Sequence, residues 1–473
     1  MEVAVSAVAS EVAGRLVSFL IGKYRGQARP SKKENLESLR RLLLRVHTVI
    51  EEAGGRYIAN SRMLLQLQAL TEAMYRGYDA LDTHAPLEQI GAQPEASGSV
   101  DFTSFNRAAA SKEVQAALRA LETASAEMAE FIALLAGCER MIRSPYSCYL
   151  HIDNFMFGRR VERQRVINIL MQDEDGHPPL GAPTVLPIIG GRRVGKKTLV
   201  WSVCSDDRIR SRFPSILHVD GCEIQRIGRD RFTTPPVRTS IVVEFRSDVE
   251  LDDREWHGFL SLLRALTGVG SKVVIVSRLE ALARFGTVDL VRINSFSREE
   301  YGYLFKVLAF GSSDPADHPR LALIGKELAA LMEGSLVHLN VYSSVLRNNL
   351  NVRFWSRALK LYRTVMEANL SVFGEHPRAL LDRGGTVDIT RFSPSGATSL
   401  RFTLLIGASG RDSSGPGELP RMTFGDIIAG SVLLPMKFEL VWESRLPPYT
   451  VISGTCVADK PQQSASLRKK RRT

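Results

Sequence analysis

An apolar run, Val185–Ile189, opens directly into Gly190-Gly191-Arg192-Arg193-Val194-Gly195-Lys196-Lys197-Thr198-Leu199. No other stretch constrains the fold as much. A strand that feeds a glycine loop and then a helix is one half of a crossover, which needs a parallel sheet with covered faces. Glycines let backbone N–H groups curl around an anion, and the next helix adds the partial positive charge of its N-terminus. Lys196 is placed to reach terminal phosphates. The full pattern puts Ser or Thr directly after that lysine to hold Mg²⁺. Here Lys197 stands there, and Thr198 follows about 100° further round the helix. Two readings stay open: an anion-binding loop and a decayed one.

The rest of the chain from residue 151 supports a sheet. Apolar runs recur at Ile216–Val219, Ile241–Phe245, Val273–Val276 and Val288–Ile293, with helical patterns between them. In Ser240-Ile241-Val242-Val243-Glu244-Phe245, Glu244 is the candidate metal-holding acid at a strand end, and Phe245 stands where a second acid would help. Loss of the hydroxyl and of the paired acid predicts no catalytic residue and little or no Mg²⁺-dependent hydrolysis. Ser297-Arg298-Glu299-Glu300 reads as a capping box opening a helix. Residues 319–367 read as helical, with Leu321, Ile324, Leu328 and Leu331 on one face. Leu400–Ile406 and Phe438–Trp442 read as strands, separated by the turn-rich Gly410–Pro420.

Before residue 150 the period is helical. Val5, Val8, Val12, Leu16 and Phe19 form one stripe; Leu36, Leu39, Leu43, Val46 and Ile50 form a second. Leu64, Leu67, Leu70, Met74 and Leu81 make a third, and Val114, Leu118, Leu121, Met128, Ile132 and Leu135 a fourth. Residues 84–110, rich in Pro, Gly, Ser and Ala, read as a loop. Four such helices bury their stripes most simply as a bundle.

Charge narrows the function classes. Of the net charge of +11 over 473 residues, the last 14 contribute six basic and no acidic side chains, whereas residues 1–150 balance at 17 of each sign. Much of the excess sits in a tail, which argues against nucleic acid as the general partner. Arg468, Lys469, Lys470, Arg471 and Arg472 are a candidate nuclear-import signal. The five cysteines are scattered, with no CxxC pair, so a cytoplasmic or nuclear setting is expected. No run of about 18 apolar residues predicts a membrane span.

These residues together resemble the plant NB-ARC disease-resistance family with an Rx-type coiled-coil N-terminus. Gly190–Leu199 is similar to its Gly-Met-Gly-Gly-Val-Gly-Lys-Thr-Thr-Leu loop. Phe157-Gly158-Arg159 resembles a Val-x-Gly-Arg segment that packs against adenine and ribose. Gly270–Arg278 resembles a strand ending in a phosphate-sensing arginine, here Arg278. Leu304-Phe305 and Ala309-Phe310-Gly311 resemble a further family segment. Met74–Asp82 falls at an acidic Glu-Asp-Val-Ile-Asp motif, with Asp79 and Asp82 matching and Tyr78 in place of the glutamate.

The resemblance implies an immune-receptor-like protein with ADP or ATP bound through Phe157, Gly158, Arg159, Gly190–Leu199 and Arg278. It implies partners, such as other receptors or signalling proteins, at the bundle through Asp79 and Asp82, with self-association as a variant. The family's Gly-Leu-Pro-Leu motif reads Gly334-Ser335-Leu336-Val337 here, and residues 384–473 match no part of its plan. The expected division is a bundle at 1–145, a degenerate P-loop α/β domain at 150–312, a helical extension at 313–383, a β-leaning module at 384–459 and a basic tail at 460–473. An active P-loop ATPase and a scaffold without nucleotide remain the alternatives.

Overall fold

The computed structural model describes residues 32–91, 100–139, 157–172, 183–227, 231–232, 235–245, 251–392, 401–406, 419–429, 434–443 and 451–459. The stripe at residues 5–19 and the basic tail lie outside them. The chain divides into two compact units, Met1–Leu304 and Phe305–Thr473.

In the first unit, helices Lys32–Gly54, Ser61–Gly91 and Val100–Ala126 pack together, followed by Met128–Ala136. The three remaining stripes form their shared core: Leu39, Val46 and Leu121 are completely enclosed, with Leu43, Leu64 and Leu67 beside them. The crossing is close at Gly77, where a Cβ would come within 2.7 Å of Leu43 Cδ2 and 2.9 Å of Leu121 Cδ1. The loop expected at 84–110 is helical at 84–91 and 100–110. Its glycines and prolines cluster at 86–98, whereas 100–110 contains neither and ends in three alanines, the strongest helix formers. The fourth stripe is broken at Glu127 into two helices.

Five strands form the sheet of the same unit: β1 (Thr184–Gly190), β2 (Ser215–Asp220), β3 (Thr239–Glu244), β4 (Lys272–Ser277) and β5 (Val291–Ile293). All neighbours are parallel in the order β2-β3-β4-β1-β5. Ile188, Ile241, Val242, Val243, Val273 and Ile275 are fully enclosed, as expected of strands covered on both faces. Between β2 and β3 the described residues hold 3₁₀ structure, chiefly the turn Gly221–Arg226, and no α-helix. Bundle and sheet layer meet directly: Asn168 Nδ2 donates to Ile58 O at 3.0 Å, and the Arg208 guanidinium lies 4.8 Å from the Tyr57 ring centre.

The second unit carries helices Pro319–Leu331, Leu336–Arg347, Val352–Phe373 and Pro377–Asp382. The stretch expected to be one helical region is broken twice, at Gly334, whose φ is +76°, and again before Asn351, whose side chain caps the third helix. A second sheet follows, made of β6 (Val387–Asp388), β7 (Arg401–Ile406), β8 (Arg421–Thr423), β9 (Lys437–Glu443) and β10 (Val451–Asp459), in the order β6-β7-β10-β9-β8. β7 and β9 fall on the two expected apolar runs. The sequence reading missed β10, where Gly454 interrupts an otherwise strand-like alternation. Most of Gly410–Pro420 lies outside the described residues.

Candidate functional site

The glycine loop leaves the carboxyl end of β1, flanked by β4 and β5, which is where open α/β sheets hold ligands. Parallel register puts Gly190 beside Ile293 and Glu244 beside both Val276 and Asp220. Gly190 is required by close approach, since a Cβ there would lie 2.4 Å from the carbonyl oxygen of Ile293. The loop then turns through two left-handed residues, Arg193 at φ +56° and Gly195 at φ +94°. Arg193 stands where the resembling motif has glycine, so the loop keeps a glycine conformation without the residue that takes it freely. Val194 and Leu199 turn inward to the core, while Gly191, Arg193 and Lys197 are exposed.

Lys196 begins the helix Lys196–Cys204, and its Nζ donates to the carbonyls of Gly190 at 2.8 Å and Gly191 at 2.6 Å. Burial, then the charges of Arg278 and Lys197, push its ammonium down to about 8. Arg278 follows β4 at that same carboxyl edge, and its charge acts on the loop lysine. Three cations converge on a glycine loop at a helix N-terminus, and a phosphate chain is an anion that this arrangement fits. A magnesium ion is not fitted. Lys197 Nζ forms an ion pair with Glu244 Oε2, and Lys197 stands at the sequence position where the full motif has the metal-binding hydroxyl. Phe245 is turned away into the core, close enough that a Cβ on Gly221 would lie 2.3 Å from its ring.

The segment before the first helix of this layer splits between two tasks. Arg159 is buried and reaches the loop: its guanidinium donates to Asn294 O, to Val194 O at 3.4 Å and to Glu162 Oε1 at 3.1 Å, and lies 4.2 Å from the centre of the Phe296 ring. Gly158, at φ +64°, reverses the chain where a Cβ would strike Phe296 at 2.6 Å. Phe157 joins the same Phe296 ring edge-on at 5.9 Å to an aromatic group of the bundle side. Its ring stacks on Tyr303 at 5.8 Å and 16°, and meets Tyr75 of the bundle at 5.0 Å.

No protein-family model matches the chain. The candidate disease resistance protein RGA1 of Solanum bulbocastanum is 22% identical over 350 residues, which cover 68% of this chain and 35% of that protein. The disease resistance protein RGA2 of the same species is 21% identical over 323 residues, 63% of this chain and 33% of its own. A candidate disease resistance protein of Arabidopsis thaliana is 24% identical over 245 residues, 46% of this chain and 17% of its own. The chain is related to plant disease-resistance proteins. It spans about a third of the length of the first two relatives.

In this disease-resistance relative the acidic motif of the bundle is half-buried. Asp79 and Asp82 lie on helix Ser61–Gly91, and Tyr78, directly before Asp79, shares a hydrogen bond of 2.9 Å with His47 Nδ1. Tyr78 also meets Tyr303 at 5.2 Å, and Tyr75 meets it at the same distance. Burial, with Tyr78 and the carboxylates of Asp82 and Glu51 nearby, pushes the Tyr303 phenol up to about 12. Sequence reasoning singled out Phe157, Asp79 and Asp82 but missed that Tyr75, Tyr78 and Tyr303 join them. The available signal was the pair of tyrosines in Tyr75–Tyr78, spaced to share a helix face. Among the described residues no helix is long and apolar enough to cross a membrane.

Proposed function

We propose that the chain acts in plant defence as a receptor-like protein that works by association, and that its glycine loop holds a nucleoside diphosphate without Mg²⁺ and turns over little or no ATP. The convergence of Lys196, Arg278 and the loop amides, with Lys197 already paired to Glu244, carries this reading. Gly190–Thr198 would bind the phosphates, with Arg278 reaching them and Arg159 and Gly158 lining the approach. The bundle supplies contacts to another receptor or signalling protein, or to a second copy, around Asp79 and Asp82. Arg468–Arg472 would engage an import receptor, giving a cytoplasmic protein with access to the nucleus. A reporter carrying residues 455–473 that stays evenly spread would remove that last element.

Calorimetric titration with ADP, first in EDTA and then in Mg²⁺, tests the central claim. Binding of similar strength in both, lost in Lys196→Ala, supports it; binding in Mg²⁺ alone, or steady phosphate release from ATP, overturns it. A scaffold without nucleotide is the second reading. It is favoured by the two hydrogen bonds that fold Lys196 back onto Gly190 and Gly191, and absence of ADP binding in either buffer would establish it.

A further inference from the structure

Three lysines of the first unit are held in different ways. Lys272 is enclosed at 3% exposure, with Nζ donating to Ile169 O at 2.8 Å and to Gln172 O at 2.7 Å. Lys197 is exposed and paired with the Glu244 carboxylate. Lys196 combines features of both. Its Nζ gives two hydrogens to carbonyls, Gly190 O and Gly191 O, yet the side chain is only half-buried at the glycine loop.

An ammonium held by two carbonyls has one proton to spare. When that proton leaves, the two remaining N–H groups keep Gly190 O and Gly191 O, and the tetrahedral nitrogen aims its lone pair away from both. The amine is thus oriented as well as accessible. Burial, then the charges of Arg278 and Lys197, bring the ammonium down to about 8. At pH 7.5 about a quarter of Lys196 is then neutral amine, against about 0.1% for a lysine at its ordinary 10.5. Desolvation beside other cations is how proteins make a lysine nucleophilic near neutral pH.

We propose, resting on the phosphate-binding reading above, that Lys196 is a site of covalent acylation whose donor is an acyl phosphate seated on the glycine loop. The loop amides and Arg278 take the phosphate, which brings the adjoining acyl carbon to the Lys196 amine. The ammonium first gives its spare proton to solvent. The nitrogen lone pair then attacks the acyl carbon: an N–C bond forms, the C–O bond to phosphate breaks, and one amine proton leaves with the phosphate as hydrogen phosphate. The product is an uncharged amide with a single N–H. It keeps at most one of the two carbonyl bonds and no longer attracts a diphosphate, so acylation closes the loop to nucleotide.

The full chain is treated at pH 7.5 with acetyl phosphate and, separately, with N-acetoxysuccinimide, an acetyl donor without phosphate. Acetylation of each lysine is read by peptide mass spectrometry, with exposed Lys360 as the reference. With acetyl phosphate, Lys196 is expected to react about tenfold faster than Lys360 or more, because the loop holds the donor in place. That ratio should be smaller with N-acetoxysuccinimide, and excess pyrophosphate should remove the difference between donors. The Lys196 rate should level off above about pH 8, where an ordinary lysine continues to climb. Arg278→Gln should lose the preference for acetyl phosphate; should that variant not fold, protection by pyrophosphate decides. Equal rates at Lys196 and Lys360, the same ratio with both donors, or no protection by pyrophosphate overturns the proposal. ADP titration of the same sample separates the two readings. ADP binding without preferential acylation overturns this inference alone, and loss of both removes the nucleotide reading as well.

Discussion

Lys197 Nζ sits 2.6 Å from Glu244 Oε2, so the residue that replaces the metal-holding hydroxyl also occupies the carboxylate that ends β3. One substitution thus alters two features of a magnesium site. Lys197→Thr should restore a hydroxyl and release Glu244. ADP binding to that variant should become tighter in Mg²⁺ than in EDTA, whereas the native chain should bind equally in both. Because the lysine end of the pair is 55% exposed, stability should move by less than about 1 kcal/mol. Equal binding in both buffers for the variant would place the obstacle elsewhere in the loop.

The depressed ammonium of Lys196 predicts a pH signature with a definite sign. Its folded pKa, about 8, lies below the ordinary 10.5. Between those values the unfolded chain holds more protons, so unliganded stability should rise as pH climbs through that window. A bound diphosphate reverses the preference by favouring the ammonium. ADP affinity should therefore weaken above pH 8, and titrations at pH 8.5 in buffers of different ionisation enthalpy should report proton uptake. Affinity flat from pH 7 to 9.5 would count against Lys196 as the phosphate ligand.

Arg193 offers a test of loop strain. A non-glycine residue at φ +56° carries a cost of about 1–2 kcal/mol, while glycine adds chain entropy to the unfolded state. Arg193→Gly should leave the protein equally stable or up to about 1 kcal/mol more stable in urea unfolding. A clear loss of stability would mean that the arginine side chain outweighs the strain.

Leu39 is completely enclosed at the centre of the bundle. Leu39→Ala should cost about 2–5 kcal/mol, visible as a lower unfolding midpoint. Effects of Leu39 or Leu43 variants on association therefore report folding first. Exposed Leu44 and Leu65, at 70% and 60%, are better probes of partner contact. Their replacement by Glu should weaken association with far-UV helicity unchanged.

The sheet was legible because β1, β3 and β4, covered on both faces, read as short apolar runs, and β2 and β5 fall on the two further runs even though His218, Asp289 and Arg292 interrupt those. Bundle stripes were equally plain, since Leu39, Leu43 and Leu121 repeat at helical spacing. The site was legible in part. Lys196, Arg278 and Glu244 lie at one edge of the sheet because parallel strands bring their carboxyl ends there, which local sequence implies once the order is known. Pairing of Lys197 with Glu244 was visible as complementary charge. The destination of Phe157 was not, because it depends on Tyr75 and Tyr303, which lie 82 residues before it and 146 after it.

Phe157 lies one residue before the glycine that reverses the chain toward the loop, yet its ring is held between Tyr303 and Tyr75 of the bundle. A fragment beginning near residue 150 would strip Tyr75 and Tyr78 from this stack. It would turn Phe157 and Tyr303 toward water, exposing aromatic surface on the order of a few hundred Å². Such a piece would be prone to clump and would have lost the support of its nucleotide-side segment. The bundle thus serves the loop as an internal chaperone, and the smallest portion expected to behave in solution carries both.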